Sequence, residues 1–419
     1  MGMASKKFKL ILILVVLILL SSSSILRLPG ATAADQPPEI NLYLSEAGIS
    51  AGEDAYERYL QSHPQEAQAH FGLGMLQFFG AVETLAQDLY RYGLNPEPAR
   101  QFGLPFLRLP VPANPNPETI DYQQWQGVLK TLEQNLQTAA TTLGEVGDAS
   151  VKLPINFTAI RLDLNGDQRL SPQESFWQIY RLYNRAIPEE LPEGAQAVTI
   201  AFDTGDGYWL RGYCNLLMAI ADTILAYDTQ EYFERLGQLF FANIQTPYDV
   251  PQVGERGLLN WVDAVAALHL LHFEPQVPQR LSLALAHARS VLSLSRQSWD
   301  SILSEEDNDR EWVPNPGQTS VVPATVTAEQ IETWLRSLEA ADDLLTGEKL
   351  LPHWRFDQSQ GINLRRVFQE PGQFDLVLWV QGGAALPYLE TGELTEAETW
   401  RSLLSAFGGN FIGFAIWFN

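Results

Sequence analysis

Phe71, Met75, Phe78, Val82, Leu85 and Leu89 recur at alternating intervals of four and three residues, and only an α-helix turns all six to one side. The stripe predicts one long helix over about 65–91. Gly72, Gly74 and Gly80 lie between its members, so a second helix is expected to approach its backbone closely. A shorter helix over 51–63 should precede it and stop before Pro64, because proline pushes the residue ahead of it out of helical geometry. Apolar residues at helical spacing continue over 119–146, 208–226, 229–242, 257–272, 278–294, 296–305 and 328–344. The expected fold class is mainly α-helical.

Two segments break the pattern. Residues 155–164 and 197–202 alternate apolar and polar side chains, so they read as the strands of a short two-stranded patch. The tail changes character as well. Residues 350–355, 374–380 and 411–418 read as strands between Gly-rich turns, with one helix at 395–405. The chain therefore divides into a leader (1–34), an N-terminal helical hairpin (35–92), a Pro/Gly-rich loop (93–118), a helical body (119–345) and an α+β C-terminal portion (346–419).

The leader reads as an export signal. Lys6, Lys7 and Lys9 precede the unbroken apolar run 10–20, and the small residues Ala31, Thr32, Ala33 and Ala34 offer a cleavage site. The expected location is periplasmic or extracellular; an uncleaved leader would instead tether the protein to a membrane. Cys214 is the sole cysteine, so no internal disulfide forms, and its apolar surroundings read as a packed core position. The chain carries 50 acidic against 27 basic residues, a net charge of −23. That balance excludes nucleic acid and anionic membranes as partners and suits cations, neutral glycans or basic proteins.

The turn Asp163-Leu164-Asn165-Gly166-Asp167-Gln168-Arg169-Leu170-Ser171-Pro172-Gln173-Glu174 carries the most specific chemistry. Counting from Asp163, side-chain oxygens fall at positions 1, 3, 5, 9 and 12, and Arg169 offers its backbone carbonyl at position 7. This resembles an EF-hand loop, in which alternate residues of a tight turn face a calcium ion and a bidentate glutamate closes the shell. The resemblance implies calcium held by Asp163, Asn165, Asp167, Arg169, Ser171 and Glu174. Two positions depart from it: Gln168 stands where a glycine is usual, and Ser175 follows Glu174 where an apolar residue anchors the helix. A strand rather than a helix should lead into the loop, which implies a structural clip and not a switch. Ser171 to Glu174 also reads as a capping box that needs no ion, with a helix following over 172–186.

Other patterns are weaker. Tyr59-Leu-Gln-Ser-His-Pro64 followed by Ala69-His-Phe-Gly-Leu-Gly74 resembles a tetratricopeptide boundary over about 30 residues, but such repeats need several stacked copies. Asp203 and Asp206 read as an N-cap with a dipole-stabilising acid, or as an acid/base pair or extra ligand. Residues 305–311 read as a solvated acidic loop, a second cation site or the acidic part of a sugar cleft. His269 and His272 have metal spacing without a third ligand, and packing in the core is the plainer role. Eleven tryptophans in an acidic, exported, helical chain are similar to helical toroids that cleave polysaccharides. That likeness implies a carboxylate-dependent glycoside hydrolase drawing its acid and base from 203–206 or 305–311. No phosphate loop, dinucleotide fingerprint or serine-hydrolase elbow is present. The leading expectation is an exported, calcium-binding helical protein with a binding or scaffold role.

Overall fold

The computed structural model describes residues 36–95, 107, 109–175, 199–248, 256–309, 311–319, 326–397, 401, 402 and 405. The expectations for 1–34, for the helix beyond Ser175 and for the strand at 411–418 fall outside these residues. The described elements, in chain order, are α1 (Ile49–Ser62), α2 (Ala67–Arg91), α3 (Tyr122–Gly144), β1 (Lys152–Asn156), β2 (Thr199–Asp203), α4 (Thr204–Ala226), α5 (Gln230–Leu236), α6 (Arg256–His269), β3 (His272–Phe273), α7 (Gln279–Ser304), α8 (Ala328–Thr346), β4 (Gln360–Ile362), α9 (Leu364–Gln369), β5 (Phe374–Asp375), α10 (Leu376–Gln381) and β6 (Leu389–Thr391). The protein is mainly α-helical with short antiparallel strand pairs.

Each long helix packs on the next: α1 on α2, α2 on α3, α3 on α4, α4 on α7 and α7 on α8. The six-residue stripe of α2 is wholly buried in the core this series encloses. Close approach depends on glycine at two points. A Cβ on Gly72 would lie 2.4 Å from the Tyr56 ring of α1, and one on Gly74 would lie 2.6 Å from Leu143 Cγ of α3. Trp125, Trp209, Trp299, Trp312 and Trp334 are buried, so these five are core anchors and not sugar platforms. Cys214 is fully buried.

Strands β1 and β2 pair antiparallel, with Lys152 opposite Asp203 and Ile155 opposite Ile200. A two-stranded sheet leaves unpaired edge groups, which here meet side chains. Gln68 exchanges hydrogen bonds with the Lys152 backbone at 3.0 and 2.6 Å. Asn41 donates to the Pro154 carbonyl at 2.9 Å and accepts from the Asn156 N–H at 2.7 Å. The patch is thereby fixed to the helical body.

Five local expectations need correction. The helix expected over 229–242 is α-helical only over Gln230–Leu236 and ends in a 3₁₀ turn at Gly237–Leu239. The strand expected over 350–355 is reduced to isolated bridges at Leu350 and Leu351 ahead of a turn. The strand expected to run to residue 164 ends at Asn156 and gives way to a 3₁₀ turn at Phe157–Ala159. The two helices expected on either side of residue 295 are one helix, α7. Of the strand expected over 374–380, only Phe374–Asp375 is extended and the remainder is helix α10. No helix among the described residues is long and apolar enough to cross a membrane.

Candidate metal centre

Loop 163–174 leaves the body after the 3₁₀ turn and returns beside its own starting point. Its flanks are pinned by an antiparallel bridge between Arg161 and Ser175 and by a 3.2 Å bond from Leu162 N–H to the Glu174 carbonyl. Helix α2 holds the entry from below. Glu83 accepts the Asp163 N–H at 3.0 Å, and Gln87 donates to the Asp163 carbonyl at 2.9 Å.

Within the loop the backbone turns around Asp163. Its Oδ1 accepts the N–H groups of Gly166 (2.7 Å) and Asp167 (3.1 Å), and its Oδ2 accepts that of Gln168 (2.9 Å). Asn165 accepts from Asp167 N–H and Asp167 from Arg169 N–H, each at 2.9 Å. The Arg169 carbonyl takes the Ser171 N–H at 3.1 Å. At the closing end, Glu174 Oε1 accepts from Leu164 N–H at 3.0 Å, while Oε2 accepts from Ser171 N–H at 3.1 Å and Oγ at 2.7 Å. The capping contacts and the loop geometry thus coexist.

Gln168, at the sixth position, has φ +62°, the left-handed conformation for which glycine is usual. Asp163 and Glu174 are buried at the base, whereas Asp167 is exposed at the tip. These three carboxylates do not come within 4.8 Å of one another, the span a single cation imposes on its ligands. Each carboxylate oxygen that takes one N–H keeps a further lone pair for a metal. The donor set is oxygen throughout, which fits a hard cation.

A cavity of about 570 Å³ lies against the loop, with Asp163, Gly166 and Gln168 on one wall and Glu53, Glu57 and Glu83 on the other. Burial pushes the Glu83 carboxyl up to about 7, and the charges of Asp163, Glu53 and Glu174 add to the shift. None of these glutamates is legible as part of the site in the sequence, because nothing there places α1 and α2 beside residue 163.

A second acidic centre forms where the sequence offered two unrelated patches. Asp203 caps α4, accepting N–H bonds from Gly205 at 2.8 Å and Asp206 at 3.4 Å, and Asp206 returns the bond to Asp203 N–H at 3.2 Å. Ser298 of α7 donates to the Gly205 carbonyl at 2.9 Å, which brings the end of α7 and its C-cap Glu305 to this point. Lys152, opposite Asp203 on β1, binds both Asp307 and Asp309 and folds the acidic loop inward. Oxygens of Asp203, Glu305 and Glu311 consequently lie within 4.8 Å of one another, the only such acidic group among the described residues. The loop expected to be solvated is therefore partly internal: Glu311 is 4% exposed.

Crowding there favours protonation. Carboxylate oxygens of Asp203 and Glu305 lie within 4.8 Å of each other, so the two groups disfavour being charged together. Burial and the Asp203 charge push Glu305 up to about 8. Burial, with Asp203 and Asp307 adding, pushes Glu311 up to about 7. Asp206 is raised well above the usual carboxylate range by burial and then by Asp203.

No family model, curated protein or solved structure matches the chain. The geometry alone therefore speaks for function. His269 and His272 stand 5.9 Å apart, ring centre to ring centre, and His272 Nδ1 is engaged by the His269 carbonyl at 2.8 Å. His269 is exposed and not packed in the core, and no third ligand joins the pair among the described residues.

Proposed function

We propose that this is an exported, calcium-binding helical protein, with calcium acting as a structural clip in loop 163–174 and the helical body serving a binding or scaffold role. The observation that carries this reading is the left-handed backbone at Gln168, with three successive N–H groups directed at Asp163. That conformation turns alternate residues of the loop toward one side, where Asn165, Asp167 and the Arg169 carbonyl would join Asp163 and Glu174 around a hard cation. Buried Asp163 and Glu174, with Glu83 behind them, supply negative charge that a divalent ion would offset. At an affinity of ~0.1–1 mM, millimolar calcium would add about 0.4–1.4 kcal/mol of stability.

Calorimetric titration of the protein with calcium tests this. Wild type should bind one ion and melt higher in millimolar calcium. Asp163→Asn, which keeps an acceptor for the loop N–H groups, should weaken binding at least ~10-fold. A titration without heat, together with an unchanged melting temperature, would remove the loop from consideration.

The alternative reading, a carboxylate-dependent glycoside hydrolase, is favoured by one observation: Glu305 and Glu311 are held near 8 and 7, where a general acid works at neutral pH. Against it, both described cavities lie away from these carboxylates, and the neighbouring Trp209 and Trp312 are buried. Release of reducing sugar from neutral polysaccharides, abolished by Glu305→Gln, would establish it.

A further inference from the structure

The second cavity, of about 540 Å³, has a different character from the acidic one beside the loop. It lies on the opposite side of α3: Asn135 and Thr138 face the acidic cavity, whereas Gln137 and Thr141 face this one. Helices α4 and α7 form its other walls, and the small residues Ala140, Gly144 and Ala286 leave it open. Its charged lining consists of Arg211 and Glu145, with His287 between α4 and α7. Glu145 is exposed.

Arg211 supplies the positive charge of this groove. The guanidiniums of Arg91, Arg235, Arg280, Arg289 and Arg366 reach carboxylates, and those of Arg58, Arg161 and Arg336 reach backbone or hydroxyl oxygens. That of Arg211 has no hydrogen bond or ion pair among the described residues, and it lies so near Gly144 that a Cβ there would be 3.3 Å from Cζ. Its five N–H donors remain available in a fork that matches a carboxylate or phosphate.

The wall behind it is rigid. Asn215 Nδ2 donates to the Arg211 carbonyl at 2.9 Å, which turns Oδ1 toward His287 Nδ1 at 2.9 Å, so that nitrogen carries the proton. His287 Nε2 faces the buried Asp222 carboxylate at 3.8 Å, and Asp222 in turn holds Arg280 at 2.6 Å. The 3.8 Å separation is too long for a hydrogen bond, so His287 is fixed through Nδ1. Ser290 donates its hydroxyl proton to the Ala286 carbonyl at 2.9 Å, which leaves its oxygen as an acceptor; Thr141 donates to the Gln137 carbonyl at 2.8 Å, and its oxygen accepts from Gln137 Nε2 at 3.2 Å with one lone pair to spare.

We propose that this groove binds a small hydroxylated organic anion, its carboxylate or phosphate on the Arg211 fork and its hydroxyls on the side-chain oxygens of α3 and α7. A sugar acid and a sugar phosphate share this chemistry. The proposal is independent of the calcium loop.

Calorimetric titration of the whole protein with glucuronate, glucose 6-phosphate and glucose, in the presence of calcium, tests it. At least one of the two anions should bind, and which of them binds identifies the acidic group; glucose should bind at least ~10-fold more weakly. Arg211→Gln should weaken anion binding roughly 10- to 100-fold while leaving the melting temperature within about 2 °C. Ser290→Ala should weaken it several-fold and preserve the anion preference. The proposal would be overturned by neither anion binding at about 10 mM, or by Arg211→Gln binding as tightly as wild type. Equal binding of glucose would do the same.

Discussion

At the scale of single residues, Gln168 is the most telling. A side chain in the left-handed region costs roughly 1–2 kcal/mol, which a glycine avoids at about 0.5–1 kcal/mol of extra chain entropy. Gln168→Gly should therefore leave stability equal or raise it by up to about 1 kcal/mol, read from chemical denaturation. A loss larger than about 1 kcal/mol would mean that the Gln168 side chain has a role the backbone geometry does not explain. The sequence made Gln168 look like a defect in the calcium pattern. Its left-handed φ shows the turn being made despite the residue, and that φ depends on the N–H bonds to Asp163, which no residue-type rule encodes. Glu83 is the converse case: its acceptance of the Asp163 N–H depends on α2 lying under the loop, a contact 80 residues apart in the chain.

At the scale of elements, the helices were legible and the exceptions have causes. Helix α7 looked interrupted because Ser295 and Ser298 fall on its inner face. Both are fully buried, Ser295 accepting the Trp334 indole N–H at 3.1 Å and Ser298 donating to Gly205. Satisfied serines let the helix continue through what reads as a polar break. Helix α10 was mistaken for a strand because its apolar, β-branched run suits one. The helix signals were present at its ends: Asp375 accepts the Leu378 N–H at 2.9 Å, and Gly382 ends it at φ +99°. The α1–α2 contact makes a sharp prediction. Gly72→Ala places a methyl against the Tyr56 ring and should cost about 1–3 kcal/mol by overpacking, whereas Gly127→Ala, with open space around it on α3, should stabilise by about 1 kcal/mol. Equal effects would contradict the packing.

At the scale of the whole molecule, the fold assembles two acidic centres far apart in sequence. Asp203, Glu305 and Glu311 meet only because α4 and α7 pack together and Lys152 draws the 307–309 segment inward. That convergence was not legible, since each patch alone reads as an ordinary cap or a solvated loop. It has a pH signature. Glu305 and Glu311 titrate in the folded state near 8 and 7, above an unfolded value of about 4.3, so between these limits the native state holds more protons than the unfolded chain. Their contribution is therefore fully present below about pH 4 and is lost as pH rises toward 8. In chelator, the melting temperature should fall over this window, and Glu311→Gln should flatten the fall; an unchanged slope would contradict the crowding. A cation bound at this centre would act in the same direction as the substitution.

The two centres compete for the role of calcium site, and locating the ion decides between them. Long-wavelength anomalous diffraction from crystals grown in millimolar calcium should show a peak enclosed by Asp163, Asn165, Asp167, the Arg169 carbonyl and Glu174, with Ser171 bound directly or through water. A peak confined to Asp203, Glu305 and Glu311, or none at all, would contradict the loop as the calcium clip.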